Sequence, residues 1–181
     1  MIVFITGGAK NGKSSLAQDL AVQLARGGKH YYIATMIPSD QEDRDRIRRH
    51  IADRDGMGFE TVEQGRDIAK VLTKADPKGS FLLDSVTALL LNELFPDPTS
   101  CEMDESAADR CQQGLAELCD KAANIVFVSD YIYSDAARYD QVTETYRKGL
   151  AQLDRYLAAR ADTVIEVSAG NLIFHKGGLP E

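Results

Sequence analysis

The residues Gly7-Gly8-Ala9-Lys10-Asn11-Gly12-Lys13-Ser14 lie between the apolar run Ile2-Val3-Phe4-Ile5-Thr6 and a helical pattern that begins at Ser15. Glycines at 7, 8 and 12 let the backbone curl so that consecutive N–H groups point into one hollow, and a helix opening at its rim adds partial positive charge. Polyphosphate oxygens fit such a hollow. Lys13 is placed to reach the β- and γ-phosphates as a mobile point charge, and the Ser14 hydroxyl to ligate the Mg²⁺ that bridges them. The pattern Gly-x4-Gly-Lys-Ser also arises by chance in glycine-rich turns. A buried-type strand before it and an amphipathic helix after it are the context that marks a phosphate loop.

Working outward, Leu16, Leu20 and Leu24 recur at four-residue spacing beside Ala17, Ala21 and Ala25, and Gly27-Gly28 ends that helix. His30-Tyr31-Tyr32-Ile33-Ala34-Thr35 reads as a second strand, completing a parallel strand–helix–strand unit. Ligands bind at the carboxyl ends of such strands, which puts Thr35 on the edge that carries the phosphate loop. From Asp40 to Asp55 the pattern is helical but almost wholly charged, with Ile47 and Ile51 as its apolar anchor. Arg46, His50 and Arg54 stack along one face of it.

Phe59 to Glu63 reads as a third strand, and Ile68, Val71, Leu72 and Ala75 as the apolar face of a further helix. Ser80-Phe81-Leu82-Leu83-Asp84 is an apolar run ending in a carboxylate, the form of a central strand that delivers an acid to a bound Mg²⁺. Asp130, after Ile125-Val126-Phe127-Val128-Ser129, is the competing position. Val86 to Phe95 is an apolar helix cut off at Pro96-Asp97-Pro98, and the next helix turns Ala108, Cys111, Leu115, Leu118 and Ala122 inward. Tyr131 to Asp135 reads as a loop at the ligand edge, followed by a long helix with the stripe Val142, Tyr146, Leu150, Leu153 and Leu157. Thr163 to Val167 and Leu172 to His175 flank a turn at Gly170-Asn171, a hairpin that closes the sheet with one antiparallel edge strand. His30 and His175 fall within strands and read as structural.

The whole is an α/β, three-layer fold of the P-loop NTPase type, with a mostly parallel sheet of about seven strands, expected as a single domain over residues 1–181. A net charge of −7 spread along the chain argues against nucleic acid or a membrane surface as partner. Cys101, Cys111 and Cys119 fit neither a zinc site nor a disulfide framework, which suits a reducing cytoplasm. The first apolar run is too short for a signal peptide or a membrane span.

The phosphate loop, Ile33-Ala34-Thr35, the run Arg46-Ile47-Arg48-Arg49-His50 with Arg54, Thr61-Val62-Glu63 and Leu82-Leu83-Asp84 together resemble the bifunctional adenosylcobinamide kinase/adenosylcobinamide-phosphate guanylyltransferase family of cobalamin biosynthesis. The resemblance runs nearly end to end. It implies two reactions: phosphorylation of adenosylcobinamide with GTP or ATP, and transfer of GMP from GTP, through a histidine, to the phosphate so formed. The family's histidine falls on His50, with Arg46 and Arg54 placed to neutralise phosphate charge beside it. The nucleotide set implied is Gly7 to Ser14, Ile33, Ala34, Thr35, Arg46, Ile51, Ala52, Asp53, Arg54, Glu63 and Asp84, with Ser14 and Asp84 serving Mg²⁺ and Glu63 meeting the guanine or ribose. A trimer is the implied assembly. Departures cluster in the last third, where Ser129-Asp130-Tyr131-Ile132-Tyr133-Ser134-Asp135 replaces an Asn-Glu-Val-Gly loop running to a Val-Pro, and Ala151-Gln152-Leu153-Asp154-Arg155 a Gly-Arg-x-Asn-Gln run. A P-loop kinase of another small acceptor, and a nucleotide-binding regulator without turnover, are the alternative readings.

Overall fold

The computed structural model describes residues 1–97, 99 and 102–180. Its strands are β1 (Ile2–Gly7), β2 (His30–Ala34), β3 (Glu60–Glu63), β4 (Ser80–Asp84), β5 (Asn124–Asp130), β6 (Thr163–Ser168) and β7 (Asn171–Lys176). Its helices are α1 (Lys13–Ala25), α2 (Gln41–Asp53), α3 (Val86–Leu94), α4 (Ala107–Lys121) and α5 (Gln141–Arg160). The seven strands form one sheet in the order β3-β2-β4-β5-β1-β6-β7. Every neighbouring pair is parallel except β6 and β7. The expected P-loop architecture with one antiparallel edge strand is therefore present. Cys101 and Pro98 lie outside the described residues.

The sheet is central because its middle strands are apolar on both faces. Phe4, Tyr31, Ile33, Phe81, Leu83, Ile125 and Phe127 face α3, α4 and α5, where Leu89, Leu115, Leu150 and Leu153 meet them. The alternate residues Val3, Ile5, Tyr32, Leu82, Val126 and Val128 face α1, through Ala17, Leu20 and Ala21. One helix cannot cover that whole face. Toward β2 and β3 its place is taken by the chain after α2, where the Phe59 ring meets Tyr32 edge-on at 6.1 Å and His30 at 4.8 Å.

Three expectations need correction. Residues 68–73 form a 3-10 helix and not an α-helix, with Lys70 N–H donating to the Asp67 carbonyl and Lys74 N–H to that of Val71. The segment is short and Pro77 follows, so Ile68 and Val71, three apart, are the pair a tighter three-residue turn brings to one side. Val142 is 44 % exposed, because it sits in the first turn of α5, just past the Asp140 cap; the buried stripe begins later. Finally, Ile51 does not anchor α2: it is half-exposed, and the helix, too charged to be deeply buried as expected, buries no residue. The β6–β7 turn has Ala169 (φ 48°) and Gly170 (φ 78°) in the left-handed region, as a two-residue hairpin loop demands.

Cys111 and Cys119 are free and buried, and burial pushes their thiols up to about 12 and about 11. They are packing residues. Among the described residues, no helix is long and apolar enough to cross a membrane.

Candidate active site

The parallel registers bring Gly7, Ala34, Glu63, Asp84 and Asp130 to one edge of the sheet. At that edge the phosphate loop turns tightly enough that two glycines are required. A Cβ at Gly7 would stand 2.5 Å from the Val167 carbonyl oxygen, and Gly12 caps α1 at φ 92°. The Asn11 amide donates to the Val167 carbonyl and staples the loop to β6.

Lys13, only 4 % exposed, turns back into the loop and donates to the Gly8 carbonyl (2.6 Å) and to Asn11 Oδ1 (3.3 Å). Its third partner is Asp130 Oδ1 at 2.6 Å, at the end of β5. Strand order explains that choice. β5 lies next to β1, whereas β4, which carries Asp84, is one strand further away.

Asp84 looks the other way. Its Oδ2 accepts from the Tyr32 hydroxyl at 3.1 Å, and His50 Nδ1 lies 3.8 Å from the same oxygen, within ion-pair range but too far for a hydrogen bond. Arg54 Nη1 donates to the His50 carbonyl (2.7 Å) and Nη2 to Thr61 Oγ1 (3.2 Å), while its guanidinium sits 4.1 Å above the Tyr32 ring. Burial, then the Asp84 charge, pushes the Tyr32 phenol up, so it stays a neutral donor. An otherwise unburied helix is thus docked by His50 and Arg54 onto one tyrosine and one carboxylate. An open cleft of about 380 Å³ lies beside Arg54, Phe59 and Thr61.

The other anticipated residues are placed unevenly. Ile33 and Thr35 are fully buried. Thr35 Oγ1 donates to the Ser85 carbonyl and accepts from the Ser85 N–H, and its own carbonyl accepts from Asn92, so its side chain joins the ends of β2 and β4. Arg46, Ile51, Ala52, Asp53 and Glu63 are exposed, as are Ala9, Lys10 and Gly12, while Gly8, Asn11, Ser14 and Ala34 are partly so. For Mg²⁺ the donors on hand are hard oxygens, the half-buried Ser14 hydroxyl and the Asp84 carboxylate ending β4, whereas the Asp130 carboxylate ending β5 is engaged by Lys13. Among the described residues no group of three or more His, Cys, Asp or Glu could hold a metal by itself. That fits an ion bound chiefly through substrate phosphates and water.

Sequence reasoning missed Tyr32, which looks like any core strand residue, and a polar cluster behind Asp130. There Asp154 on α5 is 4 % exposed; its Oδ2 accepts from the Tyr133 hydroxyl at 2.7 Å and its Oδ1 has no hydrogen-bond partner. A carboxylate inside an otherwise apolar helix stripe was the available signal. Burial, with the Asp130 charge adding, pushes this carboxyl up to about 6. The native state therefore binds its proton more tightly than the unfolded chain does. The contribution to stability is complete below pH 3.8 and is lost as the pH rises to about 6. Asp154→Asn removes that loss: it is expected to raise unfolding stability by roughly 1–3 kcal/mol at pH 8 and by little at pH 4. Urea titrations at both values check this, and an equal gain at each would mean the carboxylate charge is not the cause.

Arg147, 8 % exposed, frames the loop after β5 by donating to the carbonyls of Ile132, Asp135 and Ala137 and pairing with Asp135 (3.0 Å) and Glu144 (2.7 Å). The start of the loop is tied to the phosphate loop by the Tyr131 N–H, which donates to the Gly7 carbonyl at 3.3 Å.

The sheet is shared with proteins of remote sequence. A KaiC-like protein from Pyrococcus horikoshii superposes with a TM-score of 0.56 at 14% identity, over 97% of this chain and 79% of that one. The flagellar accessory protein FlaH from Methanocaldococcus jannaschii gives 0.50 at 14% identity, over 98% and 78%. Relatives by sequence are nearer. The bifunctional adenosylcobalamin biosynthesis protein CobU is 29% identical in Salmonella typhimurium and 27% in Escherichia coli, each over 94% of this chain and 97% of that protein. The corresponding CobP of Pseudomonas aeruginosa is 30% identical over 92% of both chains. The profile of the cobinamide kinase/cobinamide phosphate guanyltransferase family matches residues 3–173, taking in the phosphate loop, His50 and both strand-end acids. With that profile running from the first strand into the last, the chain belongs to the cobinamide kinase/cobinamide phosphate guanyltransferase family.

Proposed function

We propose that the chain phosphorylates adenosylcobinamide with GTP or ATP and then transfers GMP from GTP, through His50, to the phosphate it has made. The observation that carries the reading is the meeting of His50, on a helix that buries no residue, with Asp84 at the sheet edge that also holds the phosphate loop. Because Nδ1 faces the carboxylate, Nε2 is the ring nitrogen left to attack. A bond forms from Nε2 to the α-phosphorus as the bond to the pyrophosphate oxygen breaks. An oxygen of the corrinoid phosphate then takes the phosphorus, and Nε2 leaves with its electron pair.

In this reading Lys13 and the loop N–H groups hold the polyphosphate, Ser14 and Asp84 serve Mg²⁺, and Arg46 and Arg54 offset phosphate charge near His50. Mg²⁺, when bound, supplies charge neutralisation across the phosphates. Ala34, Ile51, Ala52, Asp53 and Glu63 complete the nucleotide surroundings, while Ile33 and Thr35, with no exposed surface, can only support the strand end behind them. A trimer would give the unburied α2 a neighbour.

The test is GTP labelled at the α-phosphate, with Mg²⁺ and no corrinoid. The expected result is protein-bound label that is lost in acid and survives alkali, as a phosphoramidate does. Unlabelled protein that still binds GTP would sink the covalent step and leave a plain phosphotransferase.

A further inference from the structure

The two acids at the ligand edge are engaged with different partners. Asp84 is met by the Tyr32 hydroxyl and by His50, the residue that carries guanylyl transfer in the proposed function. Asp130 touches neither. Its Oδ1 lies 2.6 Å from Lys13 Nζ, and its side chain remains 23 % exposed. We infer that Asp130 is the general base of the phosphoryl-transfer reaction, accepting the proton of the acceptor hydroxyl as the γ-phosphoryl group moves. The inference rests on the kinase half of the proposed function.

Three observations converge on it. First, Lys13 is the group that meets the β- and γ-phosphates in a phosphate loop, so a carboxylate against its ammonium stands at the margin of the γ-phosphate position. Second, Asp130 pairs in register with Gly7, the first residue of the loop, and its N–H is fixed by Thr87 Oγ1 at 2.9 Å. The backbone that aims the carboxylate is therefore held from α3 as well as from β1. Third, the base must reach an incoming alcohol, and the partial exposure of Asp130 leaves it open to one, whereas Asp154 behind it is sealed.

The step balances without a further reactant. The acceptor O–H bond breaks and its proton passes to a carboxylate oxygen of Asp130. The oxygen's electron pair forms the bond to the γ-phosphorus, and the bond from that phosphorus to the β-phosphate oxygen breaks, releasing nucleoside diphosphate. Lys13, drawn onto the phosphates, leaves Asp130 without its counter-ion at the moment the proton arrives.

Asp130→Asn keeps the shape and the ability to accept a hydrogen bond from Lys13 but not the ability to take a proton. With adenosylcobinamide and ATP its kcat for phosphorylation is expected to fall on the order of 10²–10³-fold, with KM for ATP changing less than fivefold. Guanylylation of the same protein by labelled GTP, which reports folding and an intact loop, is expected to fall less than tenfold. Asp130→Glu, which restores a carboxylate, is expected to recover part of the kcat that asparagine loses. A wild-type kcat in Asp130→Asn, or an equal loss of both activities with KM rising, would overturn the base and make Asp130 a partner of Lys13 only. Wild-type protein that guanylylates but never phosphorylates would overturn the kinase half of the proposed function, and the base with it.

Discussion

Alanine at His50 is expected to abolish protein-bound GMP, and with it formation of adenosylcobinamide-GDP, while phosphorylation of adenosylcobinamide falls by less than tenfold. The asymmetry follows from where the residue sits. No side chain of α2 is buried, so removing an imidazole from it opens no cavity and leaves no buried group unpaired. Asp84 loses a neighbour at 3.8 Å but keeps the Tyr32 hydroxyl at 3.1 Å, and its strand stays where it is. A urea midpoint within experimental error of wild type, together with complete loss of label, is the combined result to look for. A labelled His50→Ala protein would move the covalent site elsewhere, and coincident loss of phosphorylation would mean that the two reactions share more than a nucleotide.

Lys13→Ala should damage both reactions. A preorganised cation on a transferring phosphoryl group is typically worth on the order of 10²–10³ in rate, and its loss is expected to appear in kcat/KM for phosphorylation and, more weakly, for guanylylation. Stability should suffer as well. Lys13 is buried, and its removal strips Asp130 of its counter-ion and the Gly8 carbonyl of its donor. Since Asp130 keeps some access to water, the cost is about 1–2 kcal/mol and not the larger penalty of a fully sealed charge. The double variant Lys13→Ala/Asp130→Asn separates the two effects: stability should return while activity does not. Failure of stability to return would place the cost in the loop backbone.

The phosphate loop and the strand–helix alternation were legible because each rests on local rules. Glycine spacing, apolar runs and a terminal carboxylate need no knowledge of distant partners. Asp84 and Asp130 were both recognisable as strand-end acids, but which of them meets Lys13 and which meets His50 was not. It depends on β5 lying between β4 and β1, an order that no local pattern encodes. Tyr32 was invisible for a related reason: an aromatic in a buried strand is ordinary until its hydroxyl is found on a carboxylate and its ring beneath an arginine. The 3-10 helix at 68–73 was misread because Ile68 and Val71 satisfy both periods over so short a segment.

The bare helix α2 separates the fates of the two chemistries under mutation. In the proposed mechanism phosphoryl transfer would depend on Lys13 and Asp130, which are tied into the loop, β5 and the core, so drift that damaged it would tend to damage the fold too. Guanylylation through His50, as proposed, would be mounted on a helix that buries no residue. Substitutions there go unseen by the cell's quality control, which acts on unfolded chains and not on idle ones. On that proposal a lineage released from the need for one activity would lose the histidine chemistry silently and remain a well-folded phosphotransferase, whereas the reverse loss would be exposed to selection on stability as well.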